Sequence, residues 1–320
     1  MNTLYIKVDA ENPDTELIRR AAEVLKSGGL VAFPTETVYG LGADAQNADA
    51  VAKVYKAKNR PSDNPLIWHA NSVQELEEAA VFSDTARKLA EVFWPGPLTL
   101  VLQSKTPVYP KTIAVRVPSH PVTRALIDES GCIIAAPSAN TSGRPSPTRA
   151  NHVSEDLDGV IEMIVDGGAT QKGLESTVLD LHTGKARLLR PGAITLEMLR
   201  EVIGEVALPS PKDLEAEVPI SPGMKYRHYA PLAPVILVEE GQARSIARDY
   251  EADGKVVGVL ETSKYGSLEL AAKDLFDRLR RFDEQGVSII IVETVPEEGI
   301  GLAIMNRLRK AASDADIIAT

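Results

Sequence analysis

The segment KNRPSDNPLIWH at residues 58–69 joins a predicted helix to a predicted strand and carries two cations two residues apart. The helix before it has apolar residues on one face, at spacings of three and four: Val51, Val54 and Tyr55. Pro61 ends this helix, because proline has no N–H to donate and pushes the preceding residue toward an extended conformation. Lys58 and Arg60 are therefore expected where the helix unwinds into a loop, followed by a short buried strand with His69 at its end.

This pair of cations suits an oligophosphate. Lys58 offers a compact ammonium and Arg60 a planar fork, and together they match several phosphate oxygens better than a single carboxylate. A solvated Lys-x-Arg at the end of a helix would give the same pattern, because cations are also favoured at helix C-termini. The segment alone leaves both interpretations open.

The composition predicts a globular protein with two domains. The chain has 320 residues, of which 44% are hydrophobic and 25% charged, enough for a large core. A net charge of -10 argues against nucleic-acid binding over the whole surface, but it allows a local basic cleft. One cysteine, Cys132, excludes an intramolecular disulfide framework and a multi-cysteine zinc site. Without a signal pattern or a membrane-length apolar run, we expect a cytoplasmic protein with no membrane contact.

Polar loops follow two other predicted strands. One buried strand runs into PTETVYGLG at residues 34–42, and another runs into PSANTSG at residues 137–143. In α/β proteins such loops at the carboxyl ends of strands carry ligand-binding groups, here hydroxyls and amides without charge. Ordinary turns would also explain them, with Gly40 and Gly42 supplying positive φ in the first.

Two further arginines lie on or just beyond predicted strands. Arg116 interrupts IAVRVP at residues 113–118 and would face solvent if that strand had one exposed side. Arg190 follows a predicted hairpin. The glycine-rich segment at residues 167–173 looks like a phosphate-binding loop, but Leu174 stands where that motif needs lysine, so we reject this interpretation.

The pattern divides the chain into two domains and a linker. We place the first domain at residues 1–206, a proline-rich linker at 207–233 and a small domain at 234–320. Strands and helices alternate in the small domain, which predicts a doubly wound parallel α/β sheet without an evident catalytic residue. In the linker, MKYRHY at residues 224–229 combines aromatic and basic side chains, which favours docking on a ligand or anchoring of the two domains.

Nine motifs of the chain form a distinctive set. They are FPTETVYGLG at 33–42, KNR at 58–60, NPLIWH at 64–69, WPGPLT at 94–99, VRVP at 115–118, PSANTSG at 137–143, ESTV at 175–178, RPG at 190–192 and SPGMKYRHYAP at 221–231. Together they resemble the YrdC-like family of threonylcarbamoyl-AMP synthases, in its two-domain form with a Rossmann-like C-terminal domain. The resemblance covers the whole chain and is weakest in the last domain.

The resemblance implies a twisted mixed α/β sheet with a concave cleft, and a nucleotidyltransferase activity. The enzyme would condense L-threonine, bicarbonate and ATP to L-threonylcarbamoyl-adenylate and release pyrophosphate. Mg²⁺ would accompany the ATP, with no metal ligand assigned to the protein. A tRNA threonylcarbamoyltransferase complex would receive the product for N6-threonylcarbamoyladenosine formation, and direct contact with tRNA is left open.

The resemblance also assigns roles to individual residues. Lys58 and Arg60 would be catalytic, because the pentavalent centre at the α-phosphate is highly negative. ATP would be bound by Lys58, Arg60, Ser62, Ser138, Asn140, Ser146, Arg190, Tyr226 and His228. Threonine would be bound by Thr35, His69, Arg116 and Ser176, with Arg116 pairing with its carboxylate. The linker would close as a lid and protect the fragile carbamoyl-adenylate from water.

Other functions are compatible with parts of the sequence. A double-stranded RNA or tRNA clamp would use the same cations without catalysis, although an acidic chain with small polar loops is not typical of one. A class of carbamoyltransferases contains a related domain within a much larger chain, but those proteins carry cysteine-rich zinc fingers, whereas this chain has one cysteine. The C-terminal domain is either structural or a docking site for tRNA or protein.

Overall fold

The computed structural model describes residues 2–106, 111–208 and 228–312. Within these residues the strands are β1 (Leu4–Lys7), β2 (Val31–Pro34), β3 (Tyr39–Asp44), β4 (Ile67–His69), β5 (Ala80–Val81), β6 (Leu98–Ser104), β7 (Thr112–Arg116), β8 (Ile134–Ala136), β9 (Met163–Asp166), β10 (Thr177–Asp180), β11 (Arg187–Arg190), β12 (Val235–Val238), β13 (Val257–Leu260) and β14 (Ile289–Glu293). The α-helices are α1 (Thr15–Lys26), α2 (Ala48–Lys58), α3 (Val73–Glu77), α4 (Asp84–Phe93), α5 (Pro121–Ser130), α6 (Ala150–Leu157), α7 (Leu196–Ile203), α8 (Ala243–Ala252), α9 (Leu268–Glu284) and α10 (Gly301–Ala311).

The first domain is built on one large mixed sheet, as predicted. Its described strands follow the order β1-β9-β2-β3-β8-β4-β7-β6-β10-β11, and β5 pairs with β6. β2 pairs antiparallel with β3, whereas β4 pairs parallel with β7 and antiparallel with β8. The mixture of directions places loops from several parts of the chain around the central strands β3, β8, β4 and β7.

Helix α2 ends at the cation-rich segment. Asn47 caps its start by accepting a hydrogen bond from the backbone N–H of Ala50 (3.1 Å), and Asn59 ends it in the left-handed conformation with φ 50°. Lys58 is the last helical residue, and Arg60 is the second residue after it. The predicted unwinding of the helix before Pro61 is confirmed.

Gly40 and Gly42 do not form the turn that the sequence suggests. Both lie in β3, which pairs with β2, and only residues 35–38 form the loop between these strands. A Cβ atom on Gly42 would lie 2.6 Å from both Phe33 Cε1 and Ile134 Cγ2. Close packing between strands, rather than a positive φ, therefore explains the glycine at position 42.

Two further local predictions follow from the sequence pattern: a helix at residues 73–80 and a last short strand at residues 317–318. The helix ends at Glu77, because Ala80 and Val81 pair with β6 as the short strand β5. The predicted last strand lies outside the described residues. No helix in the described part of the chain is long and apolar enough to cross a membrane.

The C-terminal domain has a parallel sheet, as predicted, with three strands in the order β12-β14-β13. Alternate residues of these strands face opposite sides, so each face needs its own cover. α8 packs on one face, and α9 and α10 pack on the other. The helices on both sides make the domain doubly wound.

The two domains share apolar contacts. Val38 and Leu174 of the first domain and Tyr229 at the end of the linker belong to the same buried cluster as the α9 and α10 face. At Gly173 a Cβ atom would lie 2.2 Å from the main-chain carbonyl oxygen of Lys273 in α9, so only glycine allows this close approach. The C-terminal domain therefore packs directly against loops of the first domain.

Candidate active site

A cleft lies on one face of the large sheet, and the strand register explains its floor. Ile67 and His69 are two residues apart in β4, so they point to the same face while Trp68 points into the core between them. His69 is in register with Arg116 of β7, and Ile67 with Ala136 of β8. These four residues line the cleft.

Most residues that the sequence assigns to the site line this cleft. They are Thr35, Lys58, Arg60, His69, Arg116, Ser138, Asn140, Ser146, Ser176, Arg190 and His228. Ser62 is exposed and does not line the cleft, so its contact with the nucleotide stays a prediction. Tyr226 lies outside the described residues.

Lys58 is buried at the end of α2, with 1% of its surface exposed. Its Nζ donates hydrogen bonds to the main-chain carbonyls of Ser138 (2.6 Å) and Asn140. Burial, followed by the neighbouring charge of Arg60, lowers the pKa of Lys58 well below its usual value. Because carbonyls only partly stabilise a buried ammonium, an anionic ligand at this end of the cleft would stabilise the charged form further.

Two arginines lie in the same cleft. Arg60 donates from Nε to the carbonyl of Asn64 (3.1 Å) and from Nη2 to that of Pro65 (3.0 Å). Arg190, at the end of β11, donates from Nε to the carbonyl of Ser176 (3.0 Å) and from Nη2 to its Oγ (3.1 Å). These hydrogen bonds hold both guanidinium groups in place, as the binding of a phosphate chain requires.

The loop after β8 supplies neutral polar groups. Ser138 donates its hydroxyl proton to Asn140 Oδ1 (2.5 Å), and Asn140 Nδ2 donates to the carbonyls of Thr141 (2.8 Å) and Arg144 (3.0 Å). The same loop offers its carbonyls to Lys58. The hydroxyl and amide groups of PSANTSG are thus fixed relative to the lysine.

Arg116 ends β7 and is only 3% exposed, so it does not face solvent. Its Nε donates to the carbonyl of Gly96 (3.1 Å) and its Nη1 to Thr37 Oγ1 (3.1 Å), while Nη2 lies 2.6 Å from Glu36 Oε1. Although burial opposes ionisation, Arg116 holds the pKa of Glu36 below its usual value. The pair is balanced in charge, and a guanidinium with five N–H donors has the capacity to bind a ligand carboxylate as well.

Of three smaller polar side chains in the cleft, His69 and Thr35 lie near Arg116, and Ser176 lies between Thr99 and Arg190. Burial, followed by the charge of Arg116, lowers the pKa of His69 to about 3, which keeps its ring neutral. Thr35 donates its hydroxyl proton to a main-chain carbonyl of its own loop (2.6 Å). Ser176 Oγ lies 2.7 Å from the Thr99 hydroxyl. This end of the cleft is polar but carries little net charge.

The end of the linker forms part of the cleft wall. His228 lines the cleft, and burial, followed by the charge of Arg60, lowers its pKa to about 3. Tyr229 stacks on Phe276 of α9, with ring centroids 5.3 Å apart. The free space in the cleft is about 60 Å³, whereas pockets for small molecules usually have roughly 300–1,000 Å³. His228 and Tyr229 of the linker end thus lie in the wall of a narrow cleft.

Glu175 lines the cleft, although the sequence interpretation does not assign it to the site. It is 6% exposed, precedes Ser176 in the ESTV motif and accepts a hydrogen bond from Ser146. A single acidic residue before a strand does not by itself indicate a binding site. Only the position of Glu175 inside the ESTV motif could have identified it as a site residue. Thr37 and Tyr229 also line the cleft and also lie within motifs.

The fold and the cleft define a class of protein. Buried cations, fixed hydroxyls and a balanced Arg–Glu pair lie in one cleft on a mixed sheet. Such a cleft is suited to a nucleotide beside a smaller carboxylate ligand. The class is therefore an α/β protein with a cleft suited to phosphates and a carboxylate.

Comparisons with known proteins identify the family. The Sua5/YciO/YrdC family, described as "Telomere recombination", matches residues 23–192, and the family "Threonylcarbamoyl-AMP synthase, C-terminal domain" matches residues 194–313. The threonylcarbamoyl-AMP synthase of Bacillus subtilis is 48% identical, with 92% of each chain covered. That of Pyrococcus abyssi is 47% identical, covering 92% of this chain and 94% of its own.

A solved structure shows the same fold over the whole chain. The crystal structure of P. abyssi Sua5 complexed with L-threonine matches with a TM-score of 0.93 and 45% identity, covering 99% of this chain and 100% of the other. This chain belongs to the Sua5/YrdC family of threonylcarbamoyl-AMP synthases, in the form that has the C-terminal domain. The family and the fold predicted from the sequence motifs are confirmed.

Proposed function

We propose that this protein condenses L-threonine, bicarbonate and ATP to L-threonylcarbamoyl-adenylate and releases pyrophosphate, as a nucleotidyltransferase. Similarity to threonylcarbamoyl-AMP synthases over 92% of the chain supports this function. The observation that carries it is that one cleft joins buried cations, suited to phosphates, to Arg116, suited to a carboxylate. A reaction between an amino-acid carbamate and a nucleotide needs both ends of such a cleft.

The mechanism places the two substrates at opposite ends. The threonine amine condenses with bicarbonate to a carbamate, with a C–N bond formed, a C–O bond broken and one water released, and a carbamate oxygen then attacks the α-phosphorus of ATP. The new P–O bond forms as the bond to pyrophosphate breaks, and Lys58, Arg60 and Arg190 neutralise the charge that develops. The neutral ring of His69 adds no charge beside the carbamate. Positioning and electrostatic stabilisation supply most of the catalysis, so no catalytic triad is needed.

Mg²⁺ is proposed to enter with the ATP. Among the described residues there is no group of three or more His, Cys, Asp or Glu side chains that could hold a metal ion. Glu175, a carboxylate in the cleft, binds Ser146 and Arg307. These contacts fit an ion coordinated mainly by phosphate oxygens and water, which is common for Mg²⁺ in nucleotide enzymes.

The linker is proposed to act as a lid, and the product to pass to a tRNA threonylcarbamoyltransferase complex. His228 lies in the cleft wall, so closure over a bound nucleotide would exclude water from the carbamoyl-adenylate. An RNA clamp is disfavoured, because Lys58 and Arg190 are 1% and 5% exposed, and the backbone of a duplex could not reach them.

Pyrophosphate release from ATP, with and without L-threonine and bicarbonate, tests the proposal. Release that requires both co-substrates is the expected result. Release without them, or tight tRNA binding with no turnover, would contradict the proposed reaction and favour the clamp.

A further inference from the structure

Two buried arginines of the C-terminal domain reach the loops that line the cleft. Arg280 in α9 and Arg307 in α10 are among the largest fully buried side chains of the described residues. Arg307 donates from Nε to Glu175 Oε2 (2.8 Å) and from Nη2 to the carbonyl of Pro191 (3.1 Å), next to Arg190. The C-terminal domain therefore contacts the residues beside the proposed nucleotide site.

Glu175 connects Arg307 to Ser146 through hydrogen bonds. The two oxygens of its carboxylate have different partners: Oε2 accepts from Arg307, and Oε1 accepts from the Ser146 hydroxyl. Although burial opposes ionisation, Arg307 and Arg190 hold the pKa of Glu175 below its usual value, so the carboxylate is charged at neutral pH. A charged carboxylate can only accept hydrogen bonds, so Ser146 must be the donor.

The direction of this hydrogen bond decides what Ser146 can offer a ligand. A serine hydroxyl has one proton and two lone pairs, and here the proton is used by Glu175. Ser146 can then accept a hydrogen bond from the cleft but cannot donate one. The phosphate oxygens of ATP are mostly ionised at neutral pH and so mainly accept hydrogen bonds, whereas a ribose hydroxyl always has a proton to donate.

Arg280 holds the backbone of the same serine from the other side. Its Nη2 donates to the carbonyl of Pro145 (2.7 Å) and lies 2.7 Å from Asp156 Oδ2. The same carboxylate oxygen accepts from the backbone N–H of Thr141 (3.1 Å). The position of Ser146 is thus fixed by α9 through its neighbour, and the direction of its hydroxyl by α10 through Glu175.

We infer that Arg307 is a positioning residue that acts through Glu175, so that Ser146 accepts a hydrogen bond from a ribose hydroxyl of the nucleotide and the enzyme prefers ribonucleotides to deoxyribonucleotides. This inference rests on the proposed use of ATP. It gives the C-terminal domain a part in nucleotide recognition, although none of its described residues at 234–312 lines the cleft. Ser146 is thereby assigned to the ribose rather than to a phosphate.

Calorimetric binding of ATP, 2′-dATP and 3′-dATP tests the inference without requiring turnover. The wild-type protein should bind one of the two deoxynucleotides about tenfold more weakly than ATP, as expected for one lost hydrogen bond. Arg307→Met should reduce this preference to within about twofold while leaving the Kd for L-threonine unchanged. Arg307→Lys, which retains a cation, should recover part of it. A general loss of structure would instead weaken binding of threonine as well.

Matched variants complete the design. Arg309→Met is the control, because Arg309 lies on the same helix, is 49% exposed and pairs with Glu297 of its own domain. If Arg307→Met does not fold, the double variant Glu175→Gln, Arg307→Met removes the unpaired buried charge. The double variant should show the same ribose preference as Glu175→Gln alone. Arg307 acts through Glu175, so removing it has no further effect once Glu175 is changed.

Two results would overturn the inference: equal wild-type binding of all three nucleotides, or a full ribose preference in Arg307→Met. Failure of the proposed reaction is seen separately, as wild-type protein that binds ATP but releases no threonine-dependent pyrophosphate.

Discussion

The two ends of the cleft differ in how their buried charges are compensated. Arg116 faces the carboxylate of Glu36 at 2.6 Å, so one end is balanced before a ligand binds. At the other end Lys58 donates to main-chain carbonyls, and burial with the charge of Arg60 lowers its pKa. Asp156 and Glu175 oppose this shift, but burial and Arg60 outweigh them. A buried cation hydrogen-bonded only to neutral carbonyls is costly. The lysine end would therefore gain most from a polyanion, whereas the arginine end would recognise a carboxylate mainly by geometry.

The largest effect is expected at Lys58. Lys58→Ala should lower the rate of adenylate formation by about a hundredfold or more, because removing one donor to a developing oxyanion typically costs about 10²–10³. Lys56→Ala is the matched control, because Lys56 lies on the same helix and is exposed. Pyrophosphate release measures both. Near-wild-type turnover of the Lys58 variant would remove this residue from the mechanism.

A smaller and more selective effect is expected at the balanced end. Arg116→Lys should raise the KM for L-threonine by tens of fold and that for ATP only slightly, because lysine cannot form the bidentate pair of a guanidinium. Initial rates with each substrate varied in turn measure the two constants. An equal rise in both would show that Arg116 serves the whole cleft rather than the threonine end.

Changing the linker should affect yield more than chemistry. With Tyr226 and His228 both changed to alanine, we expect ATP consumption to continue and the yield of intact threonylcarbamoyl-adenylate to fall by a few fold, since water would reach the product. The ratio of product to pyrophosphate is the measurement. An unchanged ratio would mean that the linker only joins the domains. Tyr226 lies outside the described residues, so His228→Ala alone is the variant that the structure supports.

Proton uptake by the protein on ligand binding should also differ between the lysine end and the arginine end of the cleft. This is the smallest effect that we expect. A lysine with a lowered pKa binds fewer protons when folded than when unfolded, so its contribution to stability rises with pH from the folded pKa up to about 10.4. A triphosphate reverses this shift, so ATP binding should take up a fraction of a proton. Lys310 in α10 is such a lysine, because burial, followed by the charges of Arg307 and Arg190, lowers its pKa to about 7. It is therefore partly deprotonated near neutral pH and can take up a proton.

Calorimetry in buffers of different ionisation enthalpy measures this uptake near pH 7.5. Lys310→Met should reduce the uptake on ATP binding, and threonine binding should show almost none in either protein. Equal uptake for both ligands would contradict the difference between the two ends.

The sequence predicts the parts of the site that lie within short motifs. The Lys-x-Arg pair beyond a helix, and the hydroxyl-rich loops after strands, were both recognisable from local patterns, because proline, glycine and strand ends act over a few residues. The partner of Arg116 was not, since Glu36 lies in the loop between β2 and β3, far from Arg116 in the sequence, and only the folded sheet brings them together. Gly42 shows the same limit, because its neighbours Phe33 and Ile134 are set by strand pairing.

The sequence pattern contains a weaker indication that Arg307 is buried. It lies on the apolar face of α10, three and four residues from Ile304 and Ala303, where an arginine is rarely buried unless it is paired. Such a residue predicts a buried partner but not which one. Its contact with Glu175 depends on how the two domains pack, and no pattern within either domain specifies that packing.

The shared apolar cluster has a consequence for how the protein unfolds. Residues of α9 and α10 pack against Val38 and Leu174 in one buried cluster, and Gly173 lies against the backbone of α9. Neither domain can lose its structure without exposing apolar surface of the other, so heating should produce one cooperative calorimetric transition rather than two. A fragment that ends at residue 206 should leave Val38 and Leu174 exposed and associate in solution, even though its sheet is complete.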